Sequence, residues 1–249
     1  DSEVEMTKRA AGIFSNGDFC LSDGEQQMVD LVKEHFDKVI VVMNVGGMVD
    51  TSWFAEDDLI SSVLFAFQGG MEGGTAAAEL LLGEGNPSGK LSDTLAKALQ
   101  DYPSSESFHE SRDYVDYVED IYVGYRYFET IPGAREKVNY PFGFGLSYTT
   151  FAYSDISLSQ TSMNMQGVLT ASVNVTNTGA FPGGEVVQLY IRDLVGSTTR
   201  PVKELKGFER IYLQPGQTRT VTFKIAPEML KFYNYDLQYV VEPGDFSIM

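Results

Sequence analysis

From residue 22 the apolar positions of "LSDGEQQMVDLVKEHF" recur at helical spacing. Met28, Leu31, Val32, His35 and Phe36 fall on one face. Ser22 stands at the N-cap position with Glu25 three residues on, the capping-box pairing, so a helix is predicted to start here. The next run, "KVIVVMNVGG", is continuously apolar and β-branched, as in a strand covered on both faces of a parallel sheet. The alternation then repeats. "DTSWFAEDDLI" predicts a loop and short helix, "SSVLFAFQGG" a second buried strand, "GGTAAAELLLGE" a helix, and "NPSGKLSDTL" turns leading into a third strand-like piece. Strands and helices in this order predict an α/β layer built from βαβ units. Ligands gather beyond the carboxyl ends of such strands. Here those ends are "NVGGMVDTSW" and "FQGGMEGG", both rich in glycine.

The periodicity fades from Asp101 to Tyr140. "SSESFHESRDYVDYVED" reads as a solvated face or extended linker, and "IYVGYRYFE" as a strand that packs. Beyond Phe151 the pattern changes to short alternating segments: "LTASVNVTNTG", "EVVQLYIRD", "ELKGFERIYL" and "TRTVTFKI", with "NTG", "PGG" and "QPGQ" as turns. These predict a β-sandwich. "VVEPGDFSIM" reads as a final strand that the chain's end interrupts. The expected fold class is α/β, a partial α/β sandwich with a mostly parallel sheet over 1–148, followed by an all-β sandwich over 149–249. "NYPFGFGLSYTTFAY" (Asn139–Tyr153) marks the change of character and reads as an aromatic-packed hinge.

Composition narrows the partners. A net charge of −17 argues against nucleic acid and anionic membrane, and favours neutral or cationic ligands or simple solubility. The single cysteine, Cys20, excludes an internal disulfide framework and multi-cysteine metal sites, and two histidines (His35, His109) are few for zinc. No metal or cofactor is expected. No apolar run approaches the length of a membrane span, and no signal-peptide core is visible, so the compartment stays open. "GEGNPSG" lacks the Lys and Ser/Thr of a P-loop, and "GGMEGG" lacks dinucleotide spacing. Carboxylates remain. Glycoside hydrolysis needs two, one at the anomeric carbon and one to protonate the leaving oxygen.

In order, "GDFCLSDGE", "KVIVVMNVGGMVDTSW", "GNPSGKLSDT", "DIYVGYRYFE", "YPFGFGLSYTTFAYSD", "RPVKELKGFERIYLQPGQTRTVTF" and "VVEPGDF" resemble the C-terminal half of glycoside hydrolase family 3, chiefly β-glucosidases. The resemblance covers nearly the whole chain. It implies the later part of an α/β sandwich and most of a fibronectin type III-like domain. It also implies a (β/α) barrel, carried elsewhere, that holds the aspartate nucleophile. The acid/base glutamate is implied in a loop shortly before "GDFCLSD". Family members often read Gly-Glu-Gly-x-Asp-Arg there; this chain reads "DSEVEMTKR", so the acid is Glu3 or Glu5, or lies upstream of Asp1.

The function implied is the C-terminal portion of a retaining exo-β-glycosidase, most simply a β-glucosidase. Its partners are a β-glucoside or oligosaccharide substrate and a barrel-bearing chain or fragment of the same enzyme, without which this chain is inactive. The alternatives are a non-catalytic carbohydrate-binding or scaffolding module, or a β-xylosidase of the same family. The substrate-binding candidates are Met48 and Asp50 after the first strand and Gln68 and Glu72 after the second. Trp53 is expected to pack near this rim.

Overall fold

Helix α1 (Asp23–His35) starts at the predicted cap. The Ser22 hydroxyl accepts the Glu25 N–H at 3.3 Å, and the Ser22 N–H donates to the Glu25 carboxylate at 2.9 Å. The computed structural model describes residues 18–107, 111 and 113–249. These divide into two units. The first takes in the described residues through Leu82, with Asp93–Val118 and Glu136–Pro141. The second holds Gly83–Ser92, Glu119–Arg135 and Phe142–Met249.

In the first unit β1 (Val39–Met43) pairs in parallel with β2 (Ile60–Phe65), ending with Met43 opposite Phe65. The short helix α2 (Ser52–Ala55) sets Phe54 into a core with Met43 and Ile60, around which Val41, Trp53, Phe65 and Tyr140 pack. Lys33 of α1 pairs with Asp57 just before β2. Helix α3 (Gly73–Leu81) follows β2. The parallel βαβ alternation therefore holds.

Three local expectations differ. β1 was expected to be covered on both faces, yet Ile40 and Val42 are 56% and 43% exposed while Met43 is buried. Alternate strand side chains point to opposite faces, and among the described residues only one face has a packing layer. The third strand-like piece does follow the turns of 86–89, but it is only two residues long, β3 (Leu95–Ala96), and pairs antiparallel with β4 (Val138–Tyr140), while Asn86 and Lys90 bond within the second unit. "YRYFET" is helix α4 (Tyr125–Thr130), not a strand. Burial of Phe128 and a bond from the Leu205 N–H to the Tyr125 hydroxyl (2.8 Å) outweigh the β-propensity of its aromatic residues.

The second unit is a sandwich. One sheet holds β5 (Phe151–Tyr153), β6 (Ser157–Leu158), β7 (Leu169–Asn177) and β10 (Thr218–Ile225). The other runs β13 (Phe246–Ile248), β8 (Gly183–Asp193), β9 (Glu204–Leu213). Val175 and Val221 from the first sheet meet Val187, Ile211 and Leu213 from the second, all nearly solvent-free. A neighbouring cluster joins Leu169, Ala171 and Ile225 to Leu189 and Ile191. The inward alternate residues of these strands build the core, while Phe208 and Tyr212 of β9 stay exposed. The hairpin β11 (Phe232–Tyr233) and β12 (Tyr239–Val240) precedes β13.

Candidate functional site

The two strand-end loops of the first unit start side by side. The Ala66 N–H still donates to the Met43 carbonyl at 3.0 Å, so the ladder holds to the last residue before both loops open. Gly46 then lies against Gln68: a Cβ added at Gly46 would stand 2.8 Å from the Gln68 amide nitrogen. The missing side chain leaves room for the Gln68 amide beside the first loop. Residues 44–50 and 66–72 therefore share one end of a parallel pair, where open α/β sheets bind ligands.

Met48 is exposed on the first loop. Asp50 is half-buried and structurally engaged. Its Oδ1 accepts the Ser52 N–H at 2.8 Å at the entry to α2, and its carbonyl accepts the Trp53 indole N–H at 3.1 Å. Its own N–H donates to the Phe19 carbonyl at 2.8 Å. Thr51, wholly buried, accepts from the Asn139 amide at 2.9 Å. Trp53 packs edge-on to Phe54 at 4.9 Å. On the second loop Gln68 and Glu72 are both exposed, with Glu72 at the N-cap position of α3. The loops bring Gln68 to the side of the loop carrying Met48, whereas the Asp50 carboxylate is turned to the start of α2. Glu3 and Glu5 lie outside the described residues.

Partial burial, and then the nearby Asp50 carboxylate, push the Cys20 thiol upward. The described carboxylates with displaced pKa values move down. Glu25 does so through its Ser22 hydrogen bonds and Asp57 through Lys33. Burial would raise Glu204, but Lys206 and Arg200 overcome it. A general acid needs the opposite displacement. Among the described residues no group of three or more His, Cys, Asp or Glu could hold a metal, and no helix is long and apolar enough to cross a membrane.

One residue of the loop pair escaped sequence reasoning. Phe67, beside Gln68, has a left-handed backbone (φ 51°). Nothing in a phenylalanine announces that conformation.

Residues 4–148 match the family described as glycosyl hydrolase family 3 C-terminal domain, more than half of the 249-residue chain. The chain belongs to glycosyl hydrolase family 3. Residues 185–249 match the fibronectin type III-like domain. Beta-glucosidase A of Butyrivibrio fibrisolvens is 54% identical over 242 residues, covering 92% of this chain and 29% of that protein. A beta-xylosidase of Formosa agariphila is 40% identical over 224 residues, covering 90% of this chain and 29% of its own. The solved beta-glucosidase of Paenibacillus barengoltzii superposes with a TM-score of 0.84 at 40% identity, over 92% of this chain and 26% of that one. The family 3 chain thus spans under a third of the length of these relatives.

Proposed function

We propose that this chain is the C-terminal portion of a retaining exo-β-glycosidase, a β-glucosidase that removes terminal non-reducing β-D-glucosyl residues. A barrel segment supplies the aspartate that attacks the anomeric carbon. A glutamate just before "GDFC", Glu3 or Glu5, protonates the leaving oxygen and then activates water. The chain alone is inactive because it lacks the nucleophile. The observation that carries this reading is the bond from the Asp50 N–H to the Phe19 carbonyl. It ties the segment directly following the acid's expected loop to the strand-end loop of Met48 and Asp50. The acid would then share a wall with Met48, Gln68 and Glu72, which contact substrate.

The uncovered apolar side chains of the first unit support the barrel-bearing partner. Met28 and Leu31 of α1 and Phe36 at its C-cap are 58%, 59% and 61% exposed, although they form one apolar stripe. Together with Ile40 and Val42 they suit coverage by further polypeptide. The β-xylosidase reading rests on the Formosa agariphila relative, whose identity to this chain is also substantial.

The test is a chimera in which this chain replaces the matched segment of the Butyrivibrio fibrisolvens relative. It should hydrolyse aryl β-glucosides faster than aryl β-xylosides, and the chain alone should hydrolyse neither. Replacing the true acid, by Glu3→Gln or Glu5→Gln, should cost roughly 100-fold or more on a poor leaving group. A good leaving group should be spared, with partial rescue by azide. Unchanged activity in both variants would move the acid upstream of Asp1. A folded chimera inactive on all aryl β-glycosides would leave the non-catalytic module.

A further inference from the structure

We infer that Phe67 is a substrate-contacting ring, a stacking platform for the sugar or its aglycone at the mouth of the paired strand-end loops. This rests on the glycosidase reading above. Phe67 lies one residue past Ala66, whose N–H is held by Met43, so it is the first residue released from the ladder. It turns the chain with a φ of 51°, a conformation that crowds the Cβ of every L-residue and that glycine adopts freely. The following seven residues include Gly69, Gly70, Gly73 and Gly74. Yet the position that turns left-handed carries one of the bulkiest side chains.

Burial does not repay that strain. Phe65 packs against the Met43–Phe54–Ile60 core, whereas Phe67 is not among the side chains of that cluster and remains 40% exposed. Among the described residues its ring neighbour is Phe65, with centroids 5.8 Å apart and planes tilted by 39°. That contact steadies the ring without enclosing it. Backbone strain that packing does not explain concentrates where a side chain meets a ligand. The adjoining residue supplies the complementary chemistry. Gln68 is exposed and carries both a hydrogen-bond donor and an acceptor at the seam between the loops. A flat apolar face next to an amide suits a pyranose, which has an apolar C–H face and an edge of hydroxyls. Neither group attracts a charged ligand.

The experiment uses the chimera described above, with Phe67→Gly, Phe67→Leu and Phe67→Trp. Glycine removes the ring and the strain together. Leucine keeps bulk without an aromatic face, and tryptophan keeps the face. The expected result is a KM for aryl β-glucosides raised roughly three- to tenfold in the glycine and leucine variants. In both, kcat should stay within about twofold, and the tryptophan variant should keep the original KM. The glycine variant should melt no lower than the parent, because relief of strain offsets the loss of one ring contact. Wild-type KM in the leucine variant would overturn the platform, and that variant decides the matter if the glycine variant fails to fold. Equal KM changes in all three variants would also overturn it, as a merely structural ring. A parent chimera without activity sinks the glycosidase reading and the platform with it.

Discussion

Asn177 shows how a single polar side chain can hold a sandwich together. It is wholly buried at the end of β7. Its amide donates to the Phe181 and Leu213 carbonyls at 2.8 and 3.0 Å, while its oxygen accepts the Thr149 hydroxyl at 2.7 Å and the Gly179 N–H at 3.1 Å. A buried amide with every partner satisfied is favourable, but removing it strands all four partners. Asn177→Ala should therefore cost about 3 kcal/mol in urea unfolding of the chain. Asn174, on the same strand but exposed and bonded to Thr220 at 2.7 Å, is the control. Asn174→Ala should stay within about 0.5 kcal/mol. Equal losses at the two positions would show that burial is not what matters.

At the scale of elements, the motifs with the most specific family resemblance act as fasteners of the second unit. Asn86 of "GNPSGKL" donates to the Pro182 carbonyl at 2.9 Å and accepts from the Ser147 hydroxyl and the Tyr148 N–H at 2.8 and 2.9 Å. Lys90 donates to the Gly145 carbonyl at 2.8 Å and pairs with Glu185 at 3.1 Å, both side chains largely buried. Backbone bonds join Leu91 to Phe144 and Gly143 to Leu91, each at 2.8 Å. The two segments thus form a strap, and its closeness is set by one glycine. A Cβ at Gly145 would stand 2.2 Å from the Gly89 carbonyl, a backbone atom that cannot rotate away. A Cβ at Gly89 would meet nothing within 4 Å. Gly145→Ala should lower the melting temperature by roughly 6–12 °C, on the order of 3 kcal/mol of overpacking. Gly89→Ala should change it little. Scanning calorimetry of the two variants separates close approach from the general cost of replacing a loop glycine.

For the whole molecule the informative feature is what the first unit leaves exposed. α1 and β1 form as the sequence predicts, yet the apolar stripe of the helix and one face of the strand lie open. Parallel strands are ordinarily covered on both faces. Substituting Leu31→Asp together with Ile40→Asp should hardly alter this chain by itself, within about 0.5 kcal/mol, because both sites are already hydrated. In the chimera the same pair should sharply lower soluble yield and thermal stability, since two buried unpaired carboxylates are costly. A chimera indifferent to both substitutions would mean that the barrel-bearing partner does not cover this surface.

Much of the fold was legible because it depends on local rules. The capping box of Ser22 and Glu25 needs only three residues of separation. The four long strands of the sandwich follow from side chains alternating with period two. The parallel pair and the glycine-rich loops at its ends followed from βαβ order alone. What sequence could not decide depended on contacts between distant residues. "YRYFET" became a helix because Phe128 is buried and Tyr125 reaches Leu205, and no window of neighbouring residues contains Leu205. The strand expected after the "NPSG" turns shrank to Leu95–Ala96 and took an antiparallel partner, Val138–Tyr140, that lies far along the chain. At the candidate site, position in the loops was readable, but the role of each side chain was not. Asp50 looked free to meet a ligand until the fold turned its carboxylate to Ser52. Phe67 looked like strand until the backbone turned left-handed beneath it. Patterns of apolar and turn residues determine which elements form; only the packed chain decides which backbone groups need a partner and which side chains remain for chemistry.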